Sequence, residues 1–396
     1  MLLLLVPVGL ATVVGLVVLW PGDGPTRAEQ AAQLFLPPGT TYPEGRVTTV
    51  EPLDCSLPGG EGQPAQQLTC ATVVVEVLDG DGAGDFQELE LPAEVYSAGV
   101  DVGDVLVLTR DAAVEGAGQY AFFDYDRDVP IVALTVAFAV VTVAVARLRG
   151  LAALVGLAFA FAVLLQFLLP GLLGDSSPTL VSLVGSAAIM FVVLYLAHGF
   201  SARTTTALVG TLFGLALVAV LGAVSVATAR LTGLTTEETT TLLQYDPAID
   251  FSGLVLAGVV VAGLGVLNDV TITQASAIWQ LHEVDPTMGG RELYRRGMAV
   301  GRDHIASTVY TIVFAYAGAS LPLLMLFEVY AQPWDVVLTS SALAEEVIRT
   351  LVGSIALVLA VPVTTAAGAF FATAAGTAAG AATERRVTAL RARFAR

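Results

Sequence analysis

Eight runs of about 20 mostly apolar residues constrain this chain more than any other feature, since each has the length that takes an α-helix across a hydrocarbon core of roughly 30 Å. They lie at about 1–20, 130–148, 150–170, 178–198, 204–228, 253–281, 304–327 and 347–382. Backbone polar groups in lipid must be satisfied within the segment, so runs of this kind become helices. A composition that is 55% hydrophobic and 13% charged, with mean hydropathy +0.77, agrees with a polytopic membrane protein. The last run contains Pro362, which leaves open a kinked helix or a span followed by a shorter apolar segment.

Orientation follows from arginine, because the 18 basic residues include no lysine. Arg147, Arg149, Arg203, Arg291, Arg295, Arg296, Arg302 and the tail with Arg385, Arg386, Arg391, Arg393 and Arg396 fall on one side of an eight-span arrangement. The positive-inside rule makes that side cytoplasmic. The expected organisation is an anchor at 1–20, an extracytoplasmic domain at 21–128, a seven-helix domain at 129–383 with a cytoplasmic interfacial helix near 288–303, and a basic tail at 384–396, both termini being cytoplasmic. The first run is expected to remain as an anchor; the alternatives are a cleaved signal peptide and a misplaced start.

Residues 21–128 hold 20 of the 35 acidic residues and four of the 18 arginines, a balance of 4 − 20 = −16 within a total of −17. Solvation of an exported surface explains this, and cation enrichment at a pore mouth is the functional reading. An acidic surface excludes nucleic acid as a partner. Short β-branched runs between Gly, Pro and Asp at about 45–122 predict a small antiparallel β domain of five or six strands, OB-like if it closes. Cys55 and Cys70 both lie there, where a disulfide is the expected state and a metal site the alternative. Asp79, Asp81 and Asp85 on a Gly-rich stretch lack the order of a calcium loop and predict a hairpin turn. Asp124, Asp126, Arg127 and Asp128 mark the outer headgroup boundary.

Within the sixth run, Asp269 is a carboxylate at bilayer depth, where a charge costs roughly 2.5–3.5 kcal/mol and persists against a bundle interior or a wet cavity. Gly258, Ala262, Gly265, Asp269, Thr273, Ser276 and Gln280 follow at helical steps of three and four on one face, with Asn268 and Thr271 beside it and Gln274 nearby. This stripe reads as a lined cation or proton site, or as interhelical glue. Ser307, Thr311, Phe314 and Gly318 form a candidate facing wall on the seventh run. Arg302 and Asp303 at its start are candidate gating residues; Asp303 capping the helix and Arg302 pairing with Asp303 or Asp269, or anchoring at the headgroups, are the alternatives. Gly368, Ala372, Gly376 and Gly380 form a small-residue seam, Glu345, Glu346 and Arg349 a self-paired solvated cluster, and Gln166 a hydrogen-bonding bridge. His198, His282 and His304 show no metal-binding spacing and no nucleotide motif occurs, so neither enzymatic activity nor a cofactor is expected.

The blocks GLGVLNDVTITQASAIWQL, ELYRRGMAVGRD and TIVFAYAGASLP resemble the YibE/F-like family of bacterial polytopic membrane proteins, and the resemblance runs over nearly the whole chain. It rests on Gly265 through Val270, Gly297 to Asp303 and Ala315 to Gly318, with Asn268 where relatives often carry Met before the Asp. The resemblance implies a multi-pass protein of the bacterial cytoplasmic membrane, commonly taken for a transporter. The expected function is therefore a permease, or a component of one, for a small cation or ion-coupled solute. The bilayer, a proton or small cation, and a second copy or membrane partner are its expected partners. The alternative is a non-transporting scaffold or envelope sensor whose β domain binds a partner.

Overall fold

The computed structural model describes residues 2–375 apart from 23, 27, 28, 32, 34–38, 57–66, 113 and 115–118. The chain divides into two units, one of residues 1–28 with 142–396 and one of residues 29–141.

In the smaller unit, β1 (Glu44–Asp54), β2 (Thr69–Val77), β3 (Phe86–Leu91), β4 (Val105–Arg110) and β5 (Tyr120–Tyr125) form one antiparallel sheet in the order β3-β2-β1-β4-β5. The sheet curls until its edge strands β3 and β5 approach one another. Strict alternation along β2 sends Ala71, Val73, Val75 and Val77 to one face, where they pack with Val47, Leu89, Leu91, Leu106 and Leu108. A bulge in β1 between Val47 and Thr49 bends the strand around this core. Cys55 and Cys70 form the disulfide. Asp79–Asp85 is the β2–β3 hairpin connection: Asp79 accepts the Glu44 amide at 2.7 Å and Asp81 pairs with Arg110 at 3.4 Å. Helix α2 (Ala93–Ser97) joins β3 to β4, and the Tyr125 hydroxyl donates to the Val95 carbonyl at 2.6 Å, tying α2 to β5. Asp124 and Arg127 pair at 2.8 Å.

The remaining elements are helical. Helix α1 is Leu2–Val18 and α3 is Asp128–Val163, continued by a π turn (Leu164–Leu168) and α4 (Leu169–Leu173). Inside α3, Arg147 adopts φ 56° and ψ −133°. A side chain at Gly150 would strike the Thr142 carbonyl, although residues eight apart in a straight helix are about 12 Å apart. The chain therefore turns back on itself at Arg147. Gln166, expected as a bridge, is exposed in the π turn with no hydrogen bond to the described residues.

Helix α5 (Pro178–His198) starts on a proline and ends at Gly199, φ 74°. Helix α6 (Ala202–Ala229) is capped by Ser201, which accepts the Thr204 amide at 3.1 Å. After the short α7 (Glu237–Tyr245), α8 (Phe251–Val284) starts from Asp250, which accepts the Gly253 amide at 2.9 Å. Next come α9 (Gly290–Ala319), α10 (Leu321–Val329), α11 (Trp334–Leu338) and α12 (Ser341–Ala375). Among the described residues five helices are long and apolar enough to cross a membrane, and the pair α9–α10, bent by 62°, makes six if it counts as one span.

Two expectations are corrected here. The polar segment near 288–303 is not a separate interfacial helix, since α9 runs unbroken from Gly290 to Ala319. No proline interrupts it, and Gly297 and Gly301 are where it packs against α8 and α12. The expected seventh span is bent rather than straight: α9 ends at Ala319, and Pro322 stands in the first turn of α10. Of the two readings left open at Pro362, the continuous one holds, since α12 is a single helix with Pro362 inside it. Of the small-residue seam, Gly368 and Ala372 are buried, Gly368 against Ile278 and Thr206; Gly376 and Gly380 lie outside the described residues.

Candidate functional site

Helix α8 packs against α5, α6, α9 and α12. Small residues set the spacing: Gly214 and Gly222 of α6 receive Leu267 and Leu256, and Gly297 of α9 receives Ile278. The buried face of α8 holds Leu267, Val270, Thr271, Gln274, Ala275 and Ile278.

Two of these are polar and hydrogen-bonded to neighbouring helices. The Thr271 hydroxyl shares a hydrogen bond with Thr211 of α6 at 2.6 Å, and each also reaches its own i−4 carbonyl, Leu267 at 2.8 Å and Ala207 at 3.0 Å. Gln274 Nε2 donates to the Gly297 carbonyl at 3.0 Å and to Thr365 Oγ1 at 2.7 Å. Gly301 leaves room for that amide, since a Cβ there would stand 3.1 and 3.2 Å from its Oε1 and Nε2. This belt links α6, α8, α9 and α12 as interhelical glue; its described donors are spent.

Asp269 lies elsewhere. It is near the midpoint of α8, exposed, with no hydrogen bond or ion pair to the described residues. Gly265, Thr273 and Gln280 are exposed with it, while Gly258, Ala262 and Ser276 are half-buried. The stripe thus faces outward from this chain rather than into the bundle, because the bulky and β-branched residues on the other side of α8 take the interior. Ser276 donates to the Ile272 carbonyl at 2.7 Å. Asn268 is half-buried, with Oδ1 enclosed and without a hydrogen-bond partner.

On α9, Ser307 and Thr311 are exposed, and Thr311 donates to the Ser307 carbonyl at 3.3 Å. The Gln274–Gly297 bond sets α8 and α9 side by side, but no described hydrogen bond joins the α8 stripe to Ser307 or Thr311. Arg302 and Asp303 pair neither with each other nor with Asp269, and Asp303 caps nothing because it lies mid-helix. Arg302 lines a surface groove of about 610 Å³ with Arg291, Tyr294, Arg295 and Met298. At the α8–α9 turn, the Thr287 hydroxyl and amide donate to Asp285 at 2.6 and 3.1 Å and hold its carboxyl below the usual range.

The Glu345 cluster is also corrected. It is not solvated: Glu345 is 8% exposed and accepts the Thr235 hydroxyl at 3.2 Å, while Arg349 pairs with Glu346. Among the described residues no group of three or more His, Cys, Asp or Glu is placed to hold a metal.

Sequence reasoning named Thr271 and Gln274 only as flanking groups. Their role was readable from spacing, since 267, 271, 274 and 278 follow helical steps bearing large side chains, the signature of a packed face.

The sequence model of the YibE/F-like protein family matches residues 134–374, more than half of the chain, and the chain belongs to that family. The match covers residues 134–374; the first helix and the β domain, over which the resemblance also ran, lie outside it. No curated protein and no solved structure matches it. It is a multi-pass membrane protein.

Proposed function

We propose, from membership in the YibE/F-like family and the outward carboxylate of α8, that this chain is a permease or a component of one, moving a small cation or an ion-coupled solute. The observation that carries this reading is Asp269, mid-helix, exposed and unpartnered. A charge facing lipid there is costly, so water or a second protein surface covers this face in the working protein. Asp269 binds a proton or small cation, and Asn268, Thr273, Ser276 and Gln280 supply oxygens beside it. Ser307 and Thr311 line the facing wall; Arg302 and Asp303 gate the inner mouth. The reading involves no catalytic step and no cofactor.

In the finer architecture we propose, α1, the two arms of α3 on either side of Arg147 with α4, the α9–α10 pair, and α5, α6, α8 and α12 make eight spans. The β3-β2-β1-β4-β5 order with β3 near β5 supports an OB-like closure. Both termini are cytoplasmic and residues 21–128 extracytoplasmic, in a bacterial plasma membrane.

The test is ion and proton flux in proteoliposomes across a panel of metal cations and pH gradients, comparing wild type with Asp269→Asn. Flux lost from a variant that still inserts and folds supports the site, and retained flux removes it. A silent wild type favours the second reading, a non-transporting scaffold whose β domain binds a partner. The Thr211, Thr271, Gln274 and Thr365 belt supports that alternative, since its donors are spent on other helix groups rather than offered to a passing solute.

A further inference from the structure

A second ionisable cluster lies apart from the mid-helix carboxylate, at the start of α12. Glu345 is 8% exposed. Its Oε2 accepts the Thr235 hydroxyl at 3.2 Å, and its Oε1 is enclosed without a hydrogen-bond partner. Arg349 stands one turn on, within reach of Glu345 at i+4 and of Glu346 at i+3. It pairs through Nη1 with Glu346, and its Nε is enclosed and unpaired. Two carboxylates therefore compete for one guanidinium, and the more buried one is left without it. The other groups facing the cluster are the Gly233 amide, from the α6–α7 connection, and Tyr316 of α9, within electrostatic reach of Arg349 and Glu346.

An enclosed carboxylate whose nearest cation is ion-paired with another carboxylate costs more ionised than neutral, which favours keeping a proton. The neutral carboxyl keeps the Thr235 hydroxyl on Oε2 and the Gly233 amide beside it, and one unmet O–H costs less than an uncompensated buried charge. Ionisation of Glu345 would make it the stronger claimant for Arg349, whose unpaired Nε lies on the same turn. We propose that Glu345 is a proton-binding site: it carries a proton while Arg349 serves Glu346, and its ionisation draws Arg349 across. Glu346, 27% exposed at its side chain, keeps some access to water when released. The guanidinium also stands 3.7 Å from where a Cβ on Gly258 would lie, at the start of the α8 stripe. The exchange thus changes what flanks that stripe, a consequence that rests on the permease reading while the proton site does not.

The experiment is infrared difference spectroscopy of the full chain in lipid nanodiscs over a pH series, reading the C=O stretch of protonated carboxylic acids. Wild type is expected to show such a band at neutral pH, absent from Glu345→Gln and retained in Asp269→Asn. Glu346→Gln frees Arg349 for Glu345 and is expected to weaken proton binding at least tenfold, moving the midpoint down by about one pH unit or more. Arg349→Gln is expected to move it up. A band that survives Glu345→Gln overturns the proposal, as does an unmoved midpoint in Glu346→Gln, a variant that keeps Glu345 and guards against a misfolded Glu345→Gln. No flux is read, so the outcome is independent of whether the protein transports.

Discussion

Asp269 and Gln274 stand five residues apart on α8 and meet opposite surroundings, one exposed and unpartnered, the other buried and bonded twice. Replacing Gln274 by Leu removes two buried interhelical hydrogen bonds, to the Gly297 carbonyl and to Thr365 Oγ1, each worth about 0.5–1.5 kcal/mol net. The expected outcome is a lower unfolding midpoint in detergent, checked by thermal denaturation beside an Asp269→Asn control that stays near wild type. Tyr125 sets a pH dependence in the β domain. Burial pushes its phenol above the ordinary value, so its contribution is complete below about pH 10 and is lost as pH rises through the raised value. Amide hydrogen exchange of the full chain should show β5 loosening on that alkaline limb, and Tyr125→Phe should remove the limb. At this scale the sequence made Asp269 conspicuous and gave its helical phase correctly. It did not say which phase points inward, because that depends on neighbours: Gly214, Gly222 and Gly297 are where other helices come close, and each receives a large α8 side chain.

Among elements, the Cys55–Cys70 link closes a separation of 15 residues beside the β1–β2 pairing. A loop of that size is worth roughly 3 kcal/mol in the chain-entropy account. Reduction, or Cys55→Ser with Cys70→Ser, is expected to raise exchange across β1 and β2 while leaving α5, α6 and α8 protected. The strands and this link were legible from β-branched runs and from the expectation that both cysteines lie in an exported segment. The helix boundaries of the α9 region were less so. Polar residues at 290–303 look interfacial by composition, yet no helix breaker separates them from the apolar residues that follow, so the backbone continues as α9. Its end at Pro322 follows from the missing amide of proline. Pro322→Ala is expected to reduce the 62° bend, read as a longer spin-label distance between α9 and α10.

For the molecule as a whole, the placing of the long apolar helices was legible, since hydrocarbon thickness sets their length regardless of packing; eight runs were expected, and five or six such helices stand among the described residues. How many of them cross was not legible, because the turn at Arg147 depends on a positive φ and on Gly150 lying against Thr142. Orientation rests on arginine bias and is checked by impermeant thiol labelling of full-length chains carrying one added cysteine. A cysteine at Gly289 should react only from the cytoplasmic side, and one at Val102 only from outside. The helices meet through glycines at 210, 214, 222, 297, 301 and 368, each with no room for a Cβ without a neighbour giving way. Every amino acid one base change away from a glycine codon carries a Cβ. In a library of random point mutants these six codons should therefore survive almost only as synonymous changes, tracing the helix contacts in a record of DNA variation alone.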